Sequence, residues 1–380
     1  MKFSFKNKII SFIEICLKIL YIFPIHNNRI LFSAYSGKQY SCNPKYISEY
    51  LEDNYKDKIE IIWAFNEPEK FNLDKKIKKV KFKSLQFIYY ALTAKVVVDN
   101  VESWSILPKR KGQFIINTWH GGGAYKGVGL KRKDSSNATN KNMIHKNKKI
   151  SLYISSSKAF TDMTLRKSFM YNGEVLECGM PRNDILINEK DNEKIKKAIR
   201  QKLKINDYKI LLYAPTFRSS GDYKSTLNYS KLIKTLEKKS GEKWKILYRS
   251  HYYENINNIE KNDIIDVSQY PDMQELLLIS DILITDYSSS MWDFSLMKKP
   301  VFLFVEDLEK YNQEREFYTP IESWPYILTK NNEELWEKIN SFNYEEYKKR
   351  LEEHHQKLGS CETGIASQSI SDRIIKHINL

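Results

Sequence analysis

The chain has 380 residues, 41% of them hydrophobic and 13% aromatic, which suits two packed domains and excludes a largely disordered protein. Its four cysteines are scattered and form no CxxC pair, which argues against a disulfide framework and a cysteine zinc site. The net charge of +15 favours acidic partners such as nucleic acid, anionic lipid or an acidic polymer, although a solvated lysine-rich surface would account for it too.

Residues 1–27 are predicted to form an amphipathic helix. Charged residues interrupt its apolar run and no small-residue cleavage site follows, which argues against a membrane span and a signal peptide. At helical spacing, one face carries Ile9, Ile13, Cys16, Leu17 and Leu20, and the other carries Asn7, Ser11, Glu14 and Lys18. The pattern fits a helix lying on a membrane surface or a helix packed on its own domain.

Short β-branched runs alternate with amphipathic segments along most of the chain, which predicts βαβ units and parallel sheets. The predicted strands are 29–35, 58–65, 94–100, 113–119, 151–157, 174–179, 210–217, 244–251, 263–268, 281–287 and 300–306. We predict an α/β protein with two Rossmann-like domains, 28–186 and 208–345, that face a central cleft. A charged linker (187–207) would join them, and helices in 346–380 would close the structure.

Candidate catalytic residues follow the predicted strands, where parallel sheets bind their ligands. His120 follows QFIINTW and opens the glycine-rich stretch HGGGAYKGVG, and His251 follows WKILYRS. Imidazole titrates near neutral pH, so these histidines are candidates for proton transfer. Gly121 and Gly122 would let a substrate approach the backbone closely. A packed histidine beside a tight turn is the alternative at each position.

The stretch ITDYSSSMWDF predicts a strand that ends at Thr285 and a helix that begins near Ser288. Serines at a helix start cap the backbone N–H groups, and the same groups can bind a phosphate. With Arg249 and His251 nearby, the stretch suggests a diphosphate pocket. The residues predicted to complete it are Thr216, Arg218, Asp286, Ser288 and Ser289.

Two basic features are candidates for binding an anion. In GMPRND (179–184), Arg182 is available for an anion, or the stretch is only a capped turn at the domain junction. Residues 126–149 carry many Lys and Arg and are predicted to form a mobile loop, which would recruit an acidic acceptor or simply be solvated. The sequence lacks GxxxxGK[ST], GxGxxG, HExxH and clustered DxD motifs, so no cofactor and no protein-held metal are expected. These missing motifs do not bear on a divalent ion that is bound to the donor.

The motifs NTWHGGG, GMPRND, YAPTFR, YRSH and ISDILITDYSSSMWDFSLMKKPVFLF occur together and in order. In this combination the chain resembles the CDP-glycerol glycerophosphotransferase family, the teichoic-acid and capsule primases and polymerases of bacterial walls. The resemblance covers roughly residues 28 to 378. It implies a GT-B-like fold and transfer of a polyol phosphate from a CDP-linked donor to a membrane-linked acceptor hydroxyl, with release of CMP.

The resemblance also assigns roles to residues. The family's WHG histidine falls on His120, its RxH histidine on His251, and its phosphate-binding turn on Asp286, Ser288 and Ser289. It implies a peripheral enzyme at the cytoplasmic face of the membrane, bound through the basic amphipathic N-terminus. Its partners would be a CDP-alditol donor and a lipid-linked or polyanionic glycan acceptor.

The chain departs from the family pattern at WHGGGAYKG and RSHYY, which leaves the polyol open between glycerol, ribitol and another alditol. The resemblance does not separate a primase from a polymerase. A nucleotide-sugar glycosyltransferase of the same fold is the alternative enzyme. A basic membrane-surface or nucleic-acid-binding protein is the non-enzymatic alternative, but no RNA-recognition signature is present, and we expect no nucleic-acid partner.

Overall fold

The computed structural model describes residues 15, 17–102, 107–133, 136–205, 207–216, 225–250 and 263–379. They form two compact units. Unit 1 comprises residues 1–120, 128–184 and 361–380, as far as they are described, and unit 2 comprises residues 121–127 and 185–360.

Unit 1 contains a seven-stranded parallel sheet. Its strands are β1 (His26–Ser33), β2 (Glu60–Phe65), β3 (Lys78–Lys81), β4 (Ala94–Asp99), β5 (Phe114–Asn117), β6 (Leu152–Ser155) and β7 (Glu174–Glu177), in the order β3-β2-β1-β4-β5-β6-β7. The central strands are almost continuously buried, because helices cover both faces of a parallel sheet and leave no solvent-facing register.

The helices of unit 1 begin at polar capping residues or at tight turns. They are α1 (Cys42–Tyr55), α2 (Leu85–Thr93), α3 (Asn137–Asn147), a π-helix (Phe160–Ser168) and α12 (Ala366–Ile378), with short 3₁₀ turns between. Ser84 caps α2 by accepting a hydrogen bond from Phe87 N, and Ser136 caps α3 in the same way through Thr139 N.

Unit 2 contains a six-stranded parallel sheet. Its strands are β8 (Lys209–Ala214), β9 (Trp244–Tyr248), β10 (Ile264–Asp266), β11 (Ile282–Thr285), β12 (Val301–Phe304) and β13 (Ile327–Thr329), in the order β10-β9-β8-β11-β12-β13. Its helices are α4 (Asp184–Asn188), α5 (Glu193–Leu203), α6 (Tyr229–Ser240), α7 (Met273–Ile279), α8 (Ser290–Ser295), α9 (Leu308–Glu314), α10 (Asn332–Asn340) and α11 (Tyr344–Leu358). Counted from its first strand, this is the 3-2-1-4-5-6 order of a Rossmann sheet.

The predicted α/β class with two parallel sheets is confirmed, and every predicted strand is present, with bounds that differ by a few residues. The sequence analysis missed β3 and β13. Each is the last strand at one edge of its sheet. Both are short, and β3 exposes three lysines and buries only Val80, so neither has the apolar run that marks the central strands.

The units divide the chain differently from the predicted boundaries. The segment predicted as a linker (187–207) contains α5, which is capped by Asn192 and buries Ile199. Residues 121–127 belong to unit 2, and residues 361–380 belong to unit 1. The last helix, α12, packs against α1. At the start of α12, Asp184 accepts hydrogen bonds from Ala366 N (3.0 Å) and Ser367 N (2.7 Å).

The described part of the N-terminal segment contains a short 3₁₀ helix, Lys18–Ile22. Leu17 and Leu20 are half-buried, whereas Ile15, Ile19 and Ile22 are 63%, 73% and 78% exposed. Ile9 and Ile13 of the predicted apolar face lie outside the described residues, as does Cys16. The segment therefore packs Leu17 and Leu20 and leaves a second set of apolar side chains in solvent. Among the described residues, no helix combines the length and apolarity needed to cross a lipid bilayer.

Candidate active site

Each sheet has one position at which the strand order reverses, and in parallel sheets the ligand binds outside the carboxyl ends of the strands there. In unit 1 that position lies between β1 and β4, and in unit 2 it lies between β8 and β11. Side-chain hydrogen bonds bridge the strand ends at both positions. Ser33 Oγ donates to Asp99 Oδ1 (3.1 Å) in unit 1, and Thr216 N donates to Asp286 (3.0 Å) in unit 2.

The turn that presents His120 begins directly after β5. Thr118 N donates to the carbonyl oxygen of Asp99 (2.8 Å), and Trp119 N donates to Asn117 Oδ1 (2.8 Å). Trp119 has a φ of +53°, a left-handed conformation that is rare for an aromatic residue. The backbone therefore turns sharply after β5, and surrounding hydrogen bonds hold the turn in place.

The orientation of His120 follows from one hydrogen bond. Its Nδ1 lies 3.0 Å from the carbonyl oxygen of Asn100, and a carbonyl oxygen can only accept. Nδ1 therefore carries the proton, and the basic lone pair of the neutral ring is on Nε2. The ring lies between Trp119, with centroids 4.2 Å apart, and Tyr35, at 5.7 Å. The side chain is half-buried, oriented by its neighbours and in the tautomer of a general base.

Buried side chains from distant parts of unit 1 hold the three carbonyl groups of this turn. Asn43, in the first turn of α1, donates from Nδ2 to the carbonyl oxygens of Thr118 (3.2 Å) and Trp119 (3.1 Å). Arg182, only 5% exposed, donates from Nη1 to the carbonyl oxygen of His120 (2.7 Å). Arg182 was predicted to bind an anion. In the structure, the guanidinium of Arg182 bonds to the main chain of the His120 turn. Anion binding by Arg182 stays a prediction.

The glycines after His120 differ from one another. Gly121 and Gly122 are buried, but among Gly121–Gly123 only Gly123 has a positive φ, +76°. A Cβ built on Gly123 would overlap the Tyr125 ring and lie 2.8 Å from Trp292 Cε3, so both the backbone conformation and the lack of space require glycine. The sequence analysis singled out the first two glycines, and the structure shows the strict requirement at the third.

Residues 121–127 are anchored within unit 2. Tyr125 is buried, and its hydroxyl lies 2.7 Å from Tyr326 Oη and 3.0 Å from His354 Nε2. Gly127 N donates to Glu316 O (2.7 Å), and Lys126 forms a β-bridge with Phe317. The segment that follows His120 is therefore fixed by side-chain and backbone contacts.

In unit 2, Asp286 joins the loops that follow β8 and β11. Its carboxylate accepts from Thr216 N (3.0 Å), from Thr216 Oγ1 and from Tyr287 N (2.5 Å). Asp286 is 2% exposed. The residue predicted to bind substrate thus holds the two loops together, and direct contact with a substrate stays a prediction.

The serines after Tyr287 form the turn into α8. Ser288 Oγ accepts from Ser290 N (3.3 Å) and Ser290 Oγ (3.0 Å), and Ser289 stands at the cap position. Ser288 and Ser289 are both half-buried, whereas Ser290 is buried. Their hydroxyls and the backbone N–H groups of the first turn are donors of the kind that bind phosphate.

The predicted cationic members of the diphosphate pocket are described in part. Arg249 follows β9, and its Nη1 donates to Tyr270 O (2.8 Å). Arg218 and His251 lie outside the described residues. Of the predicted site, the described residues therefore comprise His120 and Arg182 in unit 1, and Gly121, Gly122, Thr216, Arg249, Asp286, Ser288 and Ser289 in unit 2.

The sequence analysis missed Asn43, Asp99 and Asn100, which orient the His120 turn. The signal for Asp99 and Asn100 was the polar pair that ends the apolar run AKVVVDN, at the carboxyl end of a central strand. Asn43 had no comparable signal, because it lies near the start of α1 and its contacts are made across 75 residues of sequence.

Comparisons with known proteins agree with these motifs. A family model described as CDP-glycerol:poly(glycerophosphate) glycerophosphotransferase matches residues 15–376. A teichoic acid poly(glycerol phosphate) polymerase of Bacillus spizizenii is 32% identical over 98% of both chains. A teichoic acid glycerol-phosphate transferase of Staphylococcus aureus is 30% identical over 99% of this chain and 100% of its own. The chain spans about half the length of two further polymerase relatives, 50% and 49%.

Solved structures of the wall teichoic acid polymerase TagF match this fold. One of them, a histidine-to-asparagine variant soaked with CDPG, is 29% identical and aligns with a TM-score of 0.85 over 100% of this chain and 99% of its own. The fold of the present chain is accordingly GT-B-like, as the sequence motifs predicted.

Proposed function

The chain belongs to the CDP-glycerol:poly(glycerophosphate) glycerophosphotransferase family, and we propose that it transfers glycerol phosphate from CDP-glycerol to a hydroxyl of a teichoic acid acceptor. The acceptor oxygen forms a bond to the β-phosphorus of the donor, and the bond from that phosphorus to CMP breaks. The observation that carries the proposal is the tautomer of His120, whose lone pair on Nε2 suits it to take the proton of the acceptor hydroxyl.

Unit 2 would supply the groups that bind the diphosphate. The turn at the end of β11 carries the hydroxyl groups of Ser288 and Ser289, and Ser290 supports it by donating from N and Oγ to Ser288 Oγ. Asp286 keeps that turn next to the loop that follows β8. Phosphoryl transfer depends chiefly on such positioning and on neutralising charge on the phosphate oxygens. His251 and Arg218 are proposed to add positive charge there, as the family motifs imply.

We propose that the reaction uses no metal held by the protein. Within the part of the chain that the structure describes, no three His, Cys, Asp or Glu side chains come together where they could hold an ion. Dialysis against a chelator, followed by assay without added divalent ions, tests this point. Binding of Mg²⁺ to the donor-free protein, together with activity that needs the ion, would reject the proposal, whereas a need for Mg²⁺ without such binding would assign the ion to the donor.

The main test is a donor panel with a lipid-linked acceptor, in which the nucleotide released and the length of the product are measured. CDP-glycerol should release CMP, whereas UDP-sugars should release no nucleotide. CDP-ribitol forms a second arm that tests the identity of the polyol, and product length separates a single transfer from polymerisation. Absence of CMP with every CDP-alditol would reject the function.

His120→Ala tests the role of the base. It should lower kcat by about 10²–10⁴, because a positioned general base contributes that much to proton transfer. His145→Ala, which removes an exposed histidine of the same unit, is the matched control and should keep wild-type activity. Near-normal turnover of His120→Ala would reject the assignment.

We propose that the N-terminal segment binds the membrane surface and that the enzyme is peripheral. Arg110 fixes the segment to unit 1 by donating from Nη1 to Phe23 O (2.8 Å) and from Nη2 to Tyr21 O (3.1 Å), and its guanidinium lies over the Tyr21 ring. Held in this way, Ile15, Ile19 and Ile22 remain exposed, and apolar side chains beside a basic residue such as Lys18 suit an anionic lipid surface.

Sedimentation with vesicles containing anionic lipid tests the membrane proposal. Ile19→Asp should reduce the bound fraction strongly, because it places a charge in the apolar set. Ile365→Asp is the matched control, since Ile365 is also in unit 1 and 53% exposed but lies outside the N-terminal segment. Equal loss in both variants would reject the segment as the membrane contact.

A further inference from the structure

We propose that Asp99 is a positioning residue for His120, and that it acts through the peptide group joining Asn100 to Val101. The proposal rests on the proposed function, because it assigns a support to the base of that reaction. Nothing in the family motifs singled out Asp99.

Two hydrogen bonds meet on one peptide group. Its N–H, that of Val101, donates to Asp99 Oδ1 (3.3 Å), and its carbonyl oxygen, that of Asn100, accepts from His120 Nδ1 (3.0 Å). Carboxylate, peptide and imidazole therefore form one continuous chain of donors and acceptors. We call this chain the Asp99 relay: the Asp99 carboxylate, the Asn100–Val101 peptide group and the His120 ring.

The relay is fixed at its carboxylate end. Asp99 is fully buried at the end of β4, and its Oδ1 also accepts from Ser33 Oγ (3.1 Å) and Asn100 N (2.9 Å). The main chain of the same residue holds the histidine turn, because its carbonyl oxygen accepts from Thr118 N (2.8 Å). One residue thus fixes both the acceptor for the His120 ring and the backbone that carries the ring.

Hydrogen bonds in series polarise one another, and the effect is larger in a buried environment. A negative charge on the N–H side of a peptide group increases the negative charge on its carbonyl oxygen. The carbonyl of Asn100 is then a stronger acceptor for Nδ1–H, and it stabilises the imidazolium that forms when Nε2 takes a proton. The arrangement resembles a carboxylate that orients a catalytic histidine, with a peptide group between the two.

The other described contacts of His120 differ in kind from its link to Asp99. Trp119 and Tyr35 contact the ring by their faces and edges. Arg182 is a cation and bonds to the main-chain carbonyl of His120. Asp99 is the carboxylate that these hydrogen bonds connect to the imidazole.

The test is Asp99→Asn, which keeps the shape of the side chain and removes its charge. We expect kcat to fall about 10-fold, as for other residues that orient a functional histidine through hydrogen bonds to its second ring nitrogen. The KM for CDP-glycerol should be unchanged. The acid limb of the pH–rate profile should move to lower pH, because the imidazolium loses a stabilising charge. A purely structural role would not move that limb.

Asp184→Asn is the matched control. Asp184 is another buried carboxylate of unit 1 that accepts backbone N–H bonds, but it caps α12 and has no link to His120. It should leave the pH–rate profile unchanged. If Asp99→Asn kept the wild-type profile, or if Asp184→Asn moved it equally, the proposal would be overturned.

A spectroscopic test avoids dependence on the folding of Asp99→Asn. In ¹⁵N-histidine-labelled wild-type protein, His120 should show a protonated Nδ1 in its neutral form, with its signals assigned by their loss in His120→Ala. The opposite tautomer would overturn the relay even in an active enzyme. If the wild-type protein released no CMP, the proposed function would fail while the tautomer still tested the relay by itself.

Discussion

The replacement of Gly123 by alanine tests how the segment after His120 is held. The φ of Gly123 is +76°, and an alanine in the left-handed region costs about 1–2 kcal/mol. The added Cβ would also overlap the Tyr125 ring and lie 2.8 Å from Trp292 Cε3, closer than real Cβ contacts allow. Trp292 is fully buried and stacks on His355 with ring centroids 4.5 Å apart, so it has little room to move. Overpacking of this kind adds about 1–3 kcal/mol.

The two contributions can be separated within unit 2. Gly241 has nearly the same φ, +73°, but no atom lies within 4 Å of a Cβ built on it. Gly241→Ala should therefore show the backbone cost alone, about 1–2 kcal/mol, and Gly123→Ala should lose about 2–5 kcal/mol in all. The measurement is the urea midpoint with its slope, supported by the melting temperature, which moves about 2–4 °C per kcal/mol in domains of 150–250 residues. Equal destabilisation by the two variants would refute the steric argument.

The other predictions concern the strand-end residues and two half-buried histidines. Asp286→Ala takes away the acceptor of Thr216 N, so the urea midpoint should fall by the equivalent of about 1–3 kcal/mol and the KM for CDP-glycerol should rise, with a smaller change for Asp286→Asn. Arg182→Lys keeps the charge but loses the guanidinium geometry that reaches the His120 carbonyl, so kcat should fall with KM unchanged; a rise in KM alone would assign Arg182 to ligand binding. Burial lowers the pKa of both His354 and His355 to about 4, against 6.5 for an ordinary histidine. Unfolded chains therefore bind protons that the folded protein does not between pH 6.5 and pH 4, and unfolding free energy should decrease as the pH falls through that window. The double variant His354→Gln/His355→Gln should show a shallower dependence of the urea midpoint on pH. An unchanged dependence would show that the lowered pKa values of these two histidines are not its cause.

The sequence by itself determined the class of fold and the places where chemistry would lie. Continuous apolar runs such as VVV in β4 and ILIT in β11 are typical of central strands in a sheet that is covered on both faces, so these strands could be predicted. Polar residues that follow such runs fall at the carboxyl ends of parallel strands, which is why His120, Thr216 and Asp286 could be selected. Two of the edge strands could not, because Lys78–Lys81 carries three exposed lysines and Ile327–Thr329 is only three residues long.

The tertiary structure alone shows what each selected residue contacts. Asn43 reaches the turn of His120 across 75 residues, and Arg182 reaches it across 62, and no local pattern encodes contacts of that separation. The tautomer of His120 depends on a main-chain carbonyl, which every residue has and which sequence therefore cannot distinguish. The same holds for Gly123, whose requirement comes from a positive φ beside Trp292. The sequence gives the chemistry of each side chain directly. The direction of a backbone N–H or carbonyl group is fixed only when distant segments of the chain pack together.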